Sequence, residues 1–590
     1  MTSVFRRRIA SQVVSTLKPF LKGNEKVHLY EMIPLLLKFR QPKCLSPQFE
    51  LSWKDTLVLK PDLKERVHPA TVLTYLKNQD FPTSEGITDV FLDSVSQDRM
   101  IFTFEQEIFT SSVLLDICSR IDNMPSKSSF FKNIPPENVI VEYSSPNIAK
   151  PFHYGHFRST VLGNFLSNIF KYVGHSVTQM NYVGDWGLQY GILAVGFNKF
   201  GSEEKLKCNP LGHLLEVYKE ANARSTSDPD FNQEAKLYFK KMEEGDNQCL
   251  ELWKKLRELS LDAIQATYKR LNVCFDEIHG ESMFVEDTKN MWDELLSKKV
   301  AASNENGCIE TTITTENNQE EKVILRKNDG TSLYLTRDIA AAVHRKQKFH
   351  FDSMYYVVDS SQAKHFRHLK SILNMLDYNW SSNIHHVPYG RVLNFSTRKG
   401  NAVFLHDILD EAKSRTLENM KKSSNTKVSD NMDEVADVLG ISSLIINDFR
   451  TRRRKESEFS WERTLNMKAD SGNSLQYCHA RLNSIKENCG VELCTDCELL
   501  SLVEPEAISL IEHLAKFEEV IYNTYTELEP CILVQYLFSL RNEIGKAIKV
   551  LPVKGSNIYV ARARLLLFHA SQLVLQKSLQ LVGITPLNKM

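Results

Sequence analysis

Between His153 and Val173 the apolar residues Val161, Leu162, Phe165, Leu166 and Ile169 recur at helical spacing, and Gly174 ends the run. That period predicts a helix with one face turned to a core. Short β-branched runs flank it, Asn138–Glu142 (NVIVE) before and Ser176–Val183 after, with SSPN as the intervening turn. Strand, helix and strand in this order form a βαβ unit, the building block of a parallel sheet. A second unit follows much later: a strand at Met354–Val358 (MYYVV), a helix over Gln362–Leu376 and a strand at Ile384–Pro388. Charged helices (about 203–300) and a hairpin region (about 303–335) fill the space between, so the pattern reads as one nucleotide-binding sheet split by insertions. From about 408 the period is helical throughout. Residues 25–125 mix strand-like and helical stretches with several prolines, as in a small α+β domain.

The first 24 residues have a separate character. Arg6, Arg7, Arg8, Lys18 and Lys22 precede any acid, the first being Glu25, and Val4, Phe5, Ile9, Val13, Val14 and Leu17 keep helical spacing. An amphipathic, Arg-rich, acid-free start is the pattern of a mitochondrial targeting segment, the alternative being an ordinary basic first helix. The domain reading is therefore 1–24 targeting segment, 25–125, 126–407 and 408–590. No apolar run reaches the roughly 18–20 residues of a membrane span. Lysine plus arginine equals aspartate plus glutamate, 73 each, so a nucleic-acid site has to be a local patch. Of the 11 cysteines only Cys494 and Cys497 make a C-x-x-C. One pair falls short of a four-ligand zinc site, which favours free thiols in a reducing compartment and no bound metal.

No Walker A loop and no G-x-G-x-x-G after a strand is present. What stands at the first strand-to-helix junction is His153-Tyr154-Gly155-His156. A helix N-terminus offers unpaired N–H groups and about half a positive charge, a ready site for phosphate. His153 and His156, one turn apart, can donate to the phosphates of ATP, and Gly155 lets an adenine ring approach the backbone. Read alone, the pair is equally a metal-binding pair or a helix cap.

The surrounding residues narrow this. VEYSSPNIAKPFHYGHFRSTVLGN (141–164), YVGDWGLQYG (182–191), DGTSLYLTRDIAAA (329–342), SLQYCHARL (474–482) and the C-terminal ARLLLF and LVGITPLNKM resemble, in order, blocks of the class I arginyl-tRNA synthetases, HYGH being that family's form of the HIGH motif. The resemblance covers roughly residues 130–590, and the basic start and first domain are closer to the mitochondrial branch than to the cytosolic one. It implies an α/β fold with a class I Rossmann-like parallel-sheet catalytic domain with insertions, an N-terminal α+β domain that touches tRNA, and an all-α C-terminal DALR anticodon-binding bundle. The implied activity is activation of L-arginine with ATP and Mg²⁺ and transfer to the 3′-terminal ribose of tRNA(Arg) in the mitochondrial matrix (alternatively the cytoplasm), by a monomer whose tRNA binds before arginine is activated.

Site residues follow from the same resemblance. ATP would meet His153, Gly155 and His156. At the position of the KMSKS loop stands FSTRKG (395–400), where Arg398 and Lys399 supply positive charge, and Lys150 is the family's substitute for the missing lysine. The arginine pocket would be Glu142, Asn147, Tyr334, Asp338 and Gln362. A guanidinium fork asks for carboxylates and planar acceptors, and such a pocket rejects other amino acids without an editing module. Tyr334 and Asp338, four apart, share one face of a helical turn. Tyr477 would stack on an anticodon base, and the chain end, Met590, would pack nearby. Arg481 and Arg564 are family-like positions. This chain carries KAIKV (546–550) where other members have aromatic residues, and the basic run Arg450, Arg452, Arg453, Arg454, Lys455 reads as a phosphate track, a nuclear-localisation signal or a solvated face. The rival functions are a class I ligase acting on a small molecule and a non-catalytic tRNA-binding relative.

Overall fold

The computed structural model describes the chain except residues 1, 22–24, 41–45, 60–68, 78–85, 97, 149–151, 315–316, 329–332, 394–403, 423–430 and 467–469. Strands β1 (Lys38–Arg40), β2 (Gln48–Ser52), β3 (Ile87–Leu92) and β4 (Arg99–Phe104) form an antiparallel sheet in the order β1-β2-β4-β3. The helix Ser3–Leu17 lies on it. Phe5, Ile9, Val13 and Leu17 are fully buried, and the Phe5 ring meets Phe49, Phe104 and Phe109 at centroid distances of 4.8–6.3 Å.

Residues 3–17 are thus packed against the first domain. The apolar stripe that resembles a leader is part of the domain core, and the countercharge of Arg6 lies in the distant C-terminal region. Arg6, 1% exposed, donates to the Pro34 and Leu37 carbonyls and pairs with Glu519 at 2.7 Å, while the Thr2 amide and Ser3 hydroxyl donate to Glu518 at 3.1 and 2.9 Å. Spacing and charge within 24 residues cannot reveal partners some 500 residues away.

The central sheet is parallel and five-stranded. Strands β5 (Asn138–Glu142), β6 (Ser176–Val183) and β7 (Glu277–Gly280) are followed by a small antiparallel sheet of β8 (Ala302–Ser303), β9 (Ile309–Thr314) and β10 (Glu320–Arg326). The chain then returns through β11 (Ser353–Asp359) and β12 (Ile384–Tyr389), giving the order β12-β11-β5-β6-β7. From β5 the chain proceeds to one side through β6 and later to the other through β11. The crevice at the carboxyl ends of β5 and β11 is thus a topological switch point, where ligands bind in open parallel sheets. The helix Tyr154–Val173 covers the sheet so closely that a Cβ at Gly163 would lie 2.1 Å from the Tyr143 ring.

Among the described residues from Leu405 on, helices and their connections make up the chain apart from one short strand. The two-residue strands β13 (Val392–Leu393) and β14 (Ser457–Glu458) pair in parallel at the boundary between catalytic and helical regions. The last helix, Ile558–Leu581, is long and apolar enough by length and composition to cross a membrane. In the fold it is a core helix, with Leu565, Leu566, Leu567, Val574, Leu575 and Leu579 at 1% exposure or less.

Candidate active site

The turn after β5 carries two serines with left-handed backbone, Ser144 (φ 69°) and Ser145 (φ 42°). Non-glycine residues hold such angles only when their surroundings over-determine them. Here the Ser144 amide donates to the Ser159 hydroxyl (2.9 Å) and the Ser145 amide to Asn181 Oδ1 (3.1 Å). The turn delivers Asn147 to a bridge with Gly184 and feeds the helix Tyr154–Val173.

That helix is capped by its own histidines. The Gly155 amide donates to His153 Nδ1 (3.0 Å) and the His153 amide to His156 Nδ1 (3.1 Å), with the rings 4.2 Å apart. The cap reading therefore holds for both Nδ1 atoms. A ring nitrogen that accepts carries no proton, so each neutral imidazole keeps its proton on Nε2 as a donor. Burial, and then the neighbouring His153, push the His156 pKa down to about 3, so it is neutral at any working pH. A Cβ at Gly155 would stand 2.8 Å from His153 Cε1, so this position needs glycine to keep His153 in its cap as well as to admit a ring.

The acidic pocket lies at the carboxyl end of the sheet. Glu142, 2% exposed, pairs with Arg345 at 2.6 Å and accepts from the Ser145 hydroxyl at 3.1 Å. Arg345 is fully buried, lies 4.6 Å from the Tyr182 ring centroid and donates to the Tyr356 hydroxyl at 3.3 Å. Burial raises the Glu142 pKa; the Arg345 charge opposes this and Asp338 adds to it. Asp338, on the first turn of the helix Tyr334–Phe349, pairs with His365 Nε2 at 2.7 Å. Burial alone lowers the His365 pKa, but the hydrogen bond and charge of Asp338, with Glu142 behind, outweigh it and the net shift is upward. Tyr334, half exposed at 52%, has Arg337 stacked 5.0 Å from its ring and reaches Gln189 Oε1 at 3.5 Å.

A third carboxylate was not legible in the sequence. Glu281 directly follows β7, pairs with Arg337 at 3.0 Å, and has its pKa pushed up to about 8 by burial; Arg337 opposes the shift, and Asp338 and Asp185 add to it. Behind it Asp185, fully buried, binds Arg257 (2.6 Å) and the Ser282 amide and hydroxyl (2.9 Å each). Gly280 leaves room for that carboxylate, since a Cβ there would lie 2.0 Å from Asp185 Oδ2. The only hint of Glu281 was a lone acid after EIHG, a strand too short and polar to read as one.

The two halves of the site adjoin. Thr160 donates to the His156 carbonyl (2.6 Å) and its hydroxyl meets Ser144 Oγ (2.7 Å), while Ser145 holds Glu142. Glu142 and the backbone of the histidine-capped helix are thus joined around one short turn, and Asp338 stands near enough to Glu142 to push its pKa up. Gln362 is exposed, three residues before His365, with no hydrogen bond to the acidic cluster among the described residues. Lys150, Arg398 and Lys399 lie outside the described residues. In the helical region, Tyr477 is 49% exposed, and the tail runs beside it: the Leu587 amide donates to Gln476 Oε1 (2.9 Å) and its carbonyl meets His479 Nδ1 (2.9 Å). Met590 packs against a small cluster that includes Met420 and Leu439. The basic run 450–455 is partly structural: Arg453 binds Glu529, the Leu528 carbonyl and the Pro388 carbonyl.

Comparison with known proteins decides among the readings. A family described as tRNA synthetases class I (R), catalytic domain, matches residues 125–461, and the DALR anticodon-binding domain matches 475–590. The chain belongs to the class I arginyl-tRNA synthetases. It is an arginine–tRNA ligase, and the expected three-part architecture is the one the chain adopts. The synthetase is 40% identical over 489 residues to a probable mitochondrial arginine–tRNA ligase of Mus musculus (83% of this chain, 85% of that one). It is also 39% identical over 500 residues to the cytoplasmic arginine–tRNA ligase of Saccharomyces cerevisiae (83% and 82%). In fold it is similar to the arginyl-tRNA synthetase of Thermus thermophilus, with TM-score 0.78 at 20% identity over 99% of this chain and 100% of that one. The family implies ATP, arginine and tRNA(Arg) as substrates.

Proposed function

We propose that the Nε2–H groups of His153 and His156, with Gly155 between them, hold the phosphates and adenine of Mg²⁺-ATP while Glu142, Asn147, Tyr334, Asp338 and Gln362, joined by Glu281, hold arginine. The observation that carries this is the acidic pocket sharing one turn with the histidine-capped helix. Asp338 and Glu281 face the guanidinium, Tyr334 covers it, and Asn147 takes the α-amino group. The arginine carboxylate oxygen attacks the α-phosphorus, the bond to the bridging oxygen breaks, and pyrophosphate leaves. A hydroxyl of the tRNA terminal ribose then attacks the carbonyl carbon of arginyl-adenylate and releases AMP. Both steps rest on positioning and electrostatics, with no covalent enzyme intermediate. Lys150, Arg398 and Lys399 supply charge to the triphosphate.

Tyr477 and Met590 face the anticodon; one turn beyond Tyr477, Arg481 lines a cleft of about 380 Å³ with Asn488, Ile548 and Lys554 among others. The synthetase acts as a monomer in the mitochondrial matrix. The compartment is supported by the basic, acid-free first helix, open to import factors before the chain folds, and by the mitochondrial relatives. A cytosolic signal from residues 1–30 fused to a reporter overturns it. The residue roles are tested by arginine-dependent ATP–pyrophosphate exchange, with and without tRNA, in Asp338→Asn and Glu281→Gln chains. An unchanged KM for arginine in both removes the pocket.

A further inference from the structure

The HYGH helix also meets the helical region. His153 and His156 turn toward the sheet crevice. Tyr154 and Arg158 turn the other way, into the boundary with the helical region. Tyr154 is 7% exposed and packs on Phe459 at a centroid distance of 5.7 Å. Arg158 is 2% exposed and makes an ion pair with Asp448 (3.1 Å), itself buried near the end of the helix Met432–Phe449. The same guanidinium donates to the carbonyls of Gly390 and, at 3.4 Å, of Lys455. Gly390 is pressed against the Arg454 carbonyl, where a Cβ would stand at 2.5 Å, and its amide donates to the Arg453 carbonyl at 2.9 Å. Beside it, the Tyr389 hydroxyl reaches the Gly155 carbonyl at 3.5 Å, inside the motif itself.

We propose that Arg158 is a positioning residue for adenylation: it clamps the nucleotide-binding turn to the 448–459 segment, so that seating of the helical region sets where His153 and His156 stand. The inference rests on the proposed ATP role of those histidines. A guanidinium fork is suited to this work because it binds a carboxylate on one side and carbonyls on the other in a fixed plane. Lysine keeps the charge and loses the fork. A shift of about 1 Å in a reacting group costs about 10²-fold in rate; the ATP half of the site sits on the clamped helix itself, whereas the arginine half meets that helix only through the Ser144–Ser145 turn.

The test uses the full chain with tRNA in arginine-dependent ATP–pyrophosphate exchange, measuring kcat and both KM values with thermal melting. Arg158→Lys is expected to lower kcat by about 10–100-fold and raise the KM for ATP while the KM for arginine stays put. Gly390→Ala, which pushes on the same clamp from the backbone, is expected to act in the same direction, and it decides the matter if Arg158→Lys does not fold. Arg270→Lys is the control: Arg270 bridges to Asp410 and Asp437 at the same domain boundary but does not contact the HYGH helix. A folded Arg158→Lys with wild-type kcat and KM for ATP overturns the proposal. So does a loss spread evenly over ATP and arginine, or the same split in Arg270→Lys. A wild-type chain without arginine-dependent exchange removes the functional reading and the clamp with it.

Discussion

Arginine binding is expected to release a proton. In the free enzyme burial, Asp338 and Asp185 hold the Glu281 pKa up to about 8 against the pull of Arg337, so at pH 7 roughly nine in ten Glu281 side chains are protonated. A guanidinium needs the carboxylate form, and binding to that form alone makes affinity proportional to its population. The sign follows: affinity climbs as pH rises toward 8 and levels off above it. The deprotonated fraction goes from about 0.1 at pH 7 to about 0.9 at pH 9, so the KM for arginine should fall about tenfold across that span, an apparent 1.4 kcal/mol. His365 works in the same direction, since its loss of charge beside Asp338 also favours a cationic ligand. Glu281→Gln separates the two, because it removes the larger titration and leaves His365. Calorimetry in buffers of different ionisation enthalpy reads the released proton directly. A flat KM for arginine from pH 6.5 to 8.5 in the wild-type chain, with no buffer-dependent heat, refutes the reasoning.

Other consequences are equally open to measurement. Gly155→Ala forces His153 out of its cap and is expected to lower exchange by about 10²-fold with little change in melting; wild-type exchange would remove the need for that glycine. Arg345→Met leaves Glu142 buried beside apolar groups and should cost about 3–5 kcal/mol in denaturant unfolding, with part recovered when Glu142→Gln is added; no recovery would mean that the loss is packing alone. Phe5→Ala should cost about 3–5 kcal/mol, and a change within about 0.5 kcal/mol would show that the first helix does not belong to the core. Tyr477→Ala should weaken tRNA binding by about 1–3 kcal/mol in filter binding without touching the KM for arginine.

Much of the catalytic framework could be read from spacing. The β5–helix–β6 and β11–helix–β12 units lie within a few residues of their periodic signals, because a 20-residue helix and β-branched strands carry strong local patterns. The carboxylate of Glu142 and the Tyr334–Asp338 turn were legible through motif blocks. Glu281, Arg345 and His365 were not, because each acquires its role only through a partner at least 27 residues away. The packing of the first helix was hidden for a related reason. An amphipathic basic stripe looks the same whether or not its apolar face ends in a domain core, and its contacts with Phe49, Phe104 and Glu518 lie too far along the chain to be read from spacing.

The edge position of β7 sets an order on how the molecule matures. β5, its helix and β6 are adjacent in sequence and can zip together early, whereas β7 reaches β6 only after more than 90 intervening residues have been gathered into helices. Contacts that close long loops form late. A nascent chain can therefore assemble the turn and helix that carry His153 and His156 while Glu281 is still unplaced, and β11, which closes a longer loop onto β5, follows later still.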